Sequence, residues 1–287
     1  MKRLRIEHRT TYTYPRPVQL GRHRLVIRPR EGHDLRVESM TLEISPAHRR
    51  VWTCDVFGNN VVIVDFLEAT TQLEIFSDVV VRRTTLFPDF GLHERGRIAW
   101  PVVYDPLEQA ATSIYLNPTY PDDIPQVRAW LQAELPPPEP LDAEDMVGHL
   151  TQLIQKKIQY QRRSEKGVQS PAETLRLGSG SCRDMATLMM DACRSLGIAS
   201  RFVSGYLDCA ASEAGRAATH AWNEVYFPAY GWRGFDPTIG QPTSTAHVTA
   251  GVSNHPRGVM PVAGMFLGGQ DDRGLLSVTV KVERLSG

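Results

Sequence analysis

The chain has few cysteines, no long apolar run and no excess of charge of either sign, and each absence removes a class of protein. Its four cysteines, Cys54, Cys182, Cys193 and Cys209, are scattered over 287 residues without a Cys-x-x-Cys pair. That is too dispersed for a disulfide scaffold, and the gaps between Cys182, Cys193, Cys209 and His220 are too irregular for a structural zinc site. No segment approaches the roughly 20 apolar residues of a membrane-spanning helix. Met1-Lys2-Arg3-Leu4-Arg5-Ile6-Glu7 runs directly into an alternating pattern, with no apolar stretch of the signal-peptide kind. Lys plus Arg and Asp plus Glu number 32 each, so no global field draws the chain to nucleic acid or an anionic membrane. The expectation is a cytoplasmic protein in a reducing compartment, with no nucleic-acid or membrane partner and neither a metal nor a cofactor. No internal repeat is visible.

What is present divides the chain into three. Residues 1–85 carry short alternating runs, Thr41-Leu42-Glu43-Ile44, Val61-Val62-Ile63-Val64 and Val79-Val80-Val81, between turn residues such as Arg30-Glu31-Gly32-His33-Asp34 and Gly58-Asn59-Asn60. That is the rhythm of an antiparallel β-sandwich. Arg16, Arg22, Arg24, Arg28 and Arg30 alternate there with apolar residues such as Leu25 and Ile27 and read as a solvated sheet face rather than an anion site. Residues 86–121 are an irregular, Pro-bearing connection that Trp100, Tyr104 and Tyr115 pin to a domain surface.

Residues 122–287 read as α+β. Asp122-Asp123 opens a helix bearing Ile124, Val127, Trp130, Leu131 and Leu135 and ended by Pro136-Pro137-Pro138. Asp142 opens another with Met146, Val147, Leu150, Ile154 and Ile158 on one stripe. Strands follow over Ile198–Leu207, Thr219–Phe227 and Trp232–Asp236, the last two joined by a turn at Pro228-Ala229-Tyr230-Gly231. A final strand, Leu275 to Val282, is expected to close the same sheet.

The chemistry gathers around Cys182. After Gly178-Ser179-Gly180, apolar residues recur with a helical period at Met185, Leu188, Met189, Ala192 and Leu196, up to Gly197. Ser181 and Asp184 match a capping box, which makes Ser181 the N-cap and Cys182 the first helical residue. A helix N-terminus favours a thiolate, the nucleophilic form of cysteine, and leaves a backbone N–H free to meet an oxyanion. Arg183 adds positive charge nearby, and Asp184 serves the cap first.

His220 shares one strand face with Trp222, Glu224 and Tyr226 by period two, and the helix is expected to cross that face and bring Cys182 to His220. Asp236, on the neighbouring strand, is placed to hold one imidazole nitrogen. Trp222 reads equally as cleft wall and as core, and Glu224 as structural. Tyr160 and Gln169 are both candidates for a second oxyanion donor. His247 and His255 read as loop or surface residues. Cys193 reads as core, Cys54 as a strand residue and Cys209 as part of the small-residue loop from Asp208 to Ala218.

Four segments together, Gly180-Ser181-Cys182-Arg183-Asp184-Met185-Ala186-Thr187-Leu188, Leu196 to Tyr206, Thr219-His220-Ala221-Trp222 and Gly231 to Thr238, strongly resemble the bacterial transglutaminase-like family. Thr10 to Val18, Arg24 to Arg30 and Asp55-Val56-Phe57-Gly58-Asn59 look like that family's N-terminal β region, so the resemblance spans nearly the whole chain. It implies a papain-like core in which Cys182 is the nucleophile, His220 the base and Asp236 the orienting acid. The family's His-Val stretch and Pro-Val-x-Gly run are matched by His247-Val248 and Pro261-Val262-Ala263-Gly264, whereas Gly251 to Gly258 departs from the Gly-Arg-Asp-Tyr-like segment between them.

The expected activity is cysteine-dependent acyl transfer on amide bonds, as a peptidase or amidase or as a transglutaminase, with hydrolysis slightly favoured. The substrate would be a peptide, a protein or a small amide. The alternative is a binding or scaffold module that keeps the fold with an idle site and recruits a protein partner through its N-terminal β domain.

Overall fold

In the computed structural model of the protein, residues 2–84, 97–135, 142–163, 167–208, 219–228, 230–269 and 272–285 are described. Cys209, the Pro136-Pro137-Pro138 helix stop, residues 86–96 of the connection and Ala229 of the expected turn lie outside them. β1 (Lys2–Leu25) organises the first part of the molecule. Its inward residues alternate as period two requires, with Leu4, Ile6, His8 and Thr10 buried. Pro15 and Pro17 lack ladder donors, and the register of β1 shifts between Thr13 and Val18.

β2 (Leu35–Ser45), β3 (His48–Cys54), β4 (Asn60–Phe66) and β5 (Ala69–Arg83) join β1 in the order β2-β5-β1-β4-β3. The β rhythm of the sequence is realised as an antiparallel near-barrel sheet of seven strands, two of them from the far end of the chain. The expected arginine face is internally paired. Arg16 meets Asp272, Arg22 meets Asp65, Arg24 meets Asp55, Arg28 meets Glu31, and Arg30 bonds Asn59.

The connection supplies α1 (Pro106–Ser113) and is pinned as expected. Trp100 Nε1 donates to the Leu196 carbonyl at 3.0 Å, the Tyr104 hydroxyl accepts from Ala199 N–H at 2.7 Å, and the Tyr115 carbonyl accepts from Ser200 N–H at 3.0 Å. α2 (Ile124–Glu134), α3 (Ala143–Lys157), β6 (Gln159–Tyr160), α4 (Pro171–Leu177) and β7 (Ser179–Gly180) lead to α5 (Cys182–Ser195), the helix headed by Cys182. Every residue of α5 except Arg183 and Ser195 is buried. Its C-terminal turn is held by a buried pair: Asp191 accepts from Thr119 and Tyr120 N–H at 2.9 Å, and Arg194 donates to the carbonyls of Asn117, Ser200 and Asn254. Cys193 packs in the core, and burial pushes its thiol up to about 12.

β8 (Ser200–Leu207), β9 (His220–Phe227), β10 (Gly231–Asp236), β11 (Gln241–Pro242) and β12 (His247–Ser253) form the second sheet, in the order β11-β10-β9-β8-β12. β13 (Val262–Leu267) and β14 (Leu275–Leu285) then return to β1. This corrects the expectation that the last strand closes the catalytic sheet: β14 runs antiparallel to β1 from Arg3↔Leu285 to Thr13↔Leu275. The first half of β1 is paired on its other side by β5, and β14 closes the open edge while Val280 and Val282 pack with Leu4 and Ile6.

The two sheets meet through polar as well as apolar contacts. The buried Tyr206 hydroxyl of β8 donates to the Ile27 carbonyl at 2.9 Å, which leaves it to accept from His8 Nδ1–H of β1 at 3.1 Å. His8 Nε2 then accepts from the Thr10 hydroxyl at 3.1 Å. Asn59 likewise bonds both backbone groups of Val252. Among the described residues no helix is long and apolar enough to cross a membrane.

Burial pushes His8 down from its ordinary value to about 4. The folded state therefore resists a proton that the unfolded chain takes up below its ordinary pKa, so stability falls as pH drops from about 6.5 towards 4, by about 3 kcal/mol when complete. Thermal denaturation across that range is expected to show a shallower acid-side loss in His8→Gln than in the parent. Parallel curves would remove His8 from the account.

Candidate active site

Cys182 occupies the first position of α5 because the preceding chain is braced. Asp184 is fully buried, and its Oδ2 accepts from Ser181 N–H at 2.8 Å and from the Ser181 hydroxyl at 2.7 Å. Its Oδ1 accepts from Gln169 N–H at 2.7 Å and from Arg163 at 2.9 Å. Gly180 is required by close approach: a Cβ there would lie 2.9 Å from Asp184 Cβ and 3.0 Å from Gln169 Oε1. The expected capping role of Asp184 is thus present, and it extends to fixing the segment before Cys182.

α5 does not lie on the face of β9 that the sequence suggested. Asn223 Nδ2 donates to the Ala186 carbonyl at 3.0 Å, Ala221 clusters with Cys182 and Ala186, and Val225 and Phe227 pack with Met185 and Met189. The helix therefore covers the Ala221, Asn223, Val225 and Phe227 face, opposite Trp222 and Tyr226. His220 reaches Cys182 all the same, because it is the first residue of β9 and its ring meets the thiol at the end of the strand. Cys182 lies close enough to be among the groups that raise the His220 imidazole.

The His220 ring turns Nε2 to Asp236 Oδ2 at 2.6 Å, which leaves Nδ1 for Cys182. Cys182 is 8% exposed, His220 7% and Asp236 0%, so the ion pair sits almost out of water. Burial works against the imidazolium. The Asp236 charge and hydrogen bond, with the Cys182 sulfur, outweigh it and raise His220 to about 10. Burial also opposes the Asp236 carboxylate, and His220 and His247 overcome that and hold it well below the usual range.

His247, expected in a loop or on the surface, is instead buried at the start of β12, with Nε2 3.1 Å from the same Asp236 oxygen. Its environment is polar at one edge and aromatic at the other, since it packs edge-on against Trp222 at 5.1 Å between centroids. His255 keeps to the reading from sequence: half-buried, it accepts from Arg257 N–H at 3.0 Å at the start of a short 3₁₀ turn. Trp222, itself fully buried, packs with Val203 and Val252 and lies 6.1 Å from the His220 ring, serving both as core and as the wall behind the imidazoles.

His220, Asp236 and His247 each bring one ligand atom to within 4.8 Å of the others, a composition that suits a metal. The donor pattern does not. His247 Nδ1 accepts from Ser244 N–H at 3.1 Å, so the neutral ring carries its proton on Nε2 and has no lone pair there for a cation. The cluster is a hydrogen-bonded one.

The two candidate oxyanion donors both lie beside the Gly180 segment. The Gln169 side-chain oxygen accepts from the Thr174 hydroxyl at 3.2 Å, which leaves its amide N–H groups as donors. Tyr160 pairs with Gly180 in the parallel β6–β7 ladder. Burial raises its phenol, Cys182 raises it further, and Arg162 and Arg183 oppose the rise, so it belongs to the surroundings of Cys182. Glu224 pairs with Arg201 at 2.6 Å and is structural. Val26, Val61 and Val259 share an apolar cluster with Cys182, which brings the N-terminal β region and the residue following the divergent segment into the packing around it.

Residues 4–82 match the bacterial transglutaminase-like N-terminal region, and residues 134–237 match the transglutaminase-like superfamily. An uncharacterized protein of Mycobacterium leprae is 27% identical over 292 residues, covering 100% of both chains. Another, from Mycobacterium tuberculosis, is 27% identical over 301 residues, covering 99% of this chain and 94% of its own. The solved structure of a proposed cysteine protease from Cytophaga hutchinsonii covers 100% of this chain and 91% of its own, with a TM-score of 0.76 at 17% identity, and shares the fold.

Asp184→Asn removes the charge that answers Arg163 and puts an amide donor among donors. The expected loss is about 3 kcal/mol, the cost of orphaning a buried charged partner, read as a lowered midpoint in denaturant. A change within about 0.5 kcal/mol, the range of an ordinary surface substitution, would contradict the bracing role.

Proposed function

We propose, for a chain that joins a bacterial transglutaminase-like N-terminal region to a transglutaminase-like core, that Cys182, His220 and Asp236 carry out cysteine-dependent acyl transfer on an amide bond. The observation that carries this reading is the 2.6 Å bond from His220 Nε2 to Asp236 Oδ2, because it commits the other ring nitrogen to the cysteine at the head of α5. His220, raised to about 10, is placed to take the proton of the Cys182 thiol, and the thiolate is the nucleophile.

The Cys182 sulfur attacks the amide carbonyl carbon, and the carbonyl electrons move onto oxygen. The N–H of Cys182 has no intrahelical acceptor and points along the positive end of α5, where it meets that oxyanion. The intermediate collapses, the C–N bond breaks, and His220 Nδ1–H protonates the departing nitrogen. The acyl group is now a thioester on Cys182. An incoming water or amine gives its proton to His220 Nδ1 as it attacks the thioester, and the thiolate leaves, re-forming the pair. Asp236 keeps its charge throughout, orienting the ring and stabilising the imidazolium. Only the second half differs between hydrolysis and amine transfer. Hydrolysis is favoured, since water needs no acceptor site. Peptides, proteins and small amides are the substrate classes that fit the chemistry.

Alkylation by iodoacetamide, resolved cysteine by cysteine through peptide mass, tests the pair directly. Cys182, though nearly buried, is expected to outpace exposed Cys54. Its advantage over free cysteine should widen as pH falls from about 8.5, where an ordinary thiol loses its thiolate. His220→Ala should slow Cys182 by about a hundredfold, the lower end of general-base effects. Labelling that follows free cysteine and ignores His220 would favour the idle module, and amide turnover persisting in Cys182→Ala would end the assignment.

A further inference from the structure

We infer that His247 is a positioning residue of the same site, acting on Cys182 only through Asp236. The inference rests on the acyl-transfer reading and adds to it a second imidazole that fixes the orienting carboxylate. Its basis is the count and direction of donors around Asp236. Oδ2 lies 2.6 Å from His220 Nε2 and 3.1 Å from His247 Nε2, and Oδ1 accepts from Thr238 N–H at 2.8 Å. A carboxylate with no solvent contact depends on such donors both for its charge and for its torsion about the Cβ–Cγ bond.

The direction of the His247 proton follows from the backbone. Ser244 N–H donates to Nδ1, so Nε2–H is the donor left for Asp236. His247 Nε2–H is therefore set as a donor to Asp236, whereas His220 Nε2–H belongs to the ring that takes and gives protons. Two donors on one oxygen divide the labour: His247 holds Oδ2 in place, and His220 is free to turn its charge on and off against it. Without His247, Oδ2 keeps a single lateral donor and the carboxylate can rotate away from the His220 ring plane.

The other groups around His247 do not compete for this role. The Trp222 ring packs edge-on against it, and Arg83 of β5 bonds its backbone carbonyl rather than its ring. Among the described residues, the titratable groups facing the ring are Asp236 and, 6.3 Å away between ring centroids, His220. The position is thus built to donate one hydrogen bond, and Asp236 is its hydrogen-bonded link towards the thiol.

The test uses the full chain with His247→Leu, His247→Phe and His247→Gln, and measures iodoacetamide labelling of Cys182 from pH 5 to 9. Leu and Phe remove the donor, and Phe keeps an aromatic ring against Trp222 should Leu fold poorly. Both are expected to lower the rate at pH 6 about tenfold and to move the acid limb upward by about one pH unit, the scale of losing a second-sphere orienting bond. Gln, whose amide can donate to Asp236, should stay within about threefold of the parent.

In an Asp236→Asn background, His247→Phe should add less than a twofold change, because a residue acting through Asp236 has nothing further to lose. An unchanged pH profile in His247→Phe, even with a lowered melting midpoint, would reduce His247 to packing. Additive losses in the Asp236→Asn background would equally overturn the inference. Both outcomes are distinct from failure of the acyl-transfer reading, which would show as parent labelling indifferent to His220→Ala.

Discussion

A carboxylate shut off from water has to be answered by donors, and much of this molecule is arranged around the answer given to Asp236. Three elements converge on it: β9 supplies His220, β12 supplies His247, and the turn after β10 supplies the Thr238 N–H. Each donor lowers the free energy of the charge, and the charge in turn raises His220 far enough to stay protonated beside the Cys182 sulfur. A histidine beside a cysteine on one element is thereby tuned by a carboxylate on another.

That coupling needs α5 to be immobile, and the helix is fixed at both ends by buried charge. Asp184 gathers Ser181, Gln169 and Arg163 at the N-terminus, while Asp191 and Arg194 tie the other end to the connection and to β8. Buried pairs of this kind add little net stability over apolar packing, but losing one partner leaves the other charge unanswered. Around them the chain closes on itself. β13 and β14 return to β1, and Val26 and Val61 of the first sheet pack in the cluster that contains Cys182. The N-terminal region thus contributes to the packing around Cys182.

Much of this was legible in the sequence. The Ser181–Asp184 cap, the helical period of α5, and His220 and Asp236 on adjacent strands are local patterns, and the structure brings those residues together. What was not legible is tertiary. Period two groups His220 with Trp222 and Glu224, but it cannot say which face a helix covers, and β9 is buried on both faces along most of its length. An alternating strand does not encode its partner, so β14 could be foreseen as a strand but not as the neighbour of β1. His247 carried one signal, the His-Val stretch shared with the family it resembles. A lone histidine in a polar, Gly-rich segment otherwise reads as surface, and only the unmet demand of a buried Asp236 for donors would have drawn it inward.

The most direct test of the central claim is to trap the acyl group. Exposure of the protein to p-nitrophenyl acetate, rapid acid quench and peptide mass analysis would show whether Cys182 accepts an acyl group in competition with the other nucleophiles. The account predicts one acetyl on the Cys182 peptide, removed by hydroxylamine as a thioester is, and strongly diminished in His220→Ala. Acetyl groups confined to lysines or to exposed Cys54, with Cys182 unmodified, would contradict it.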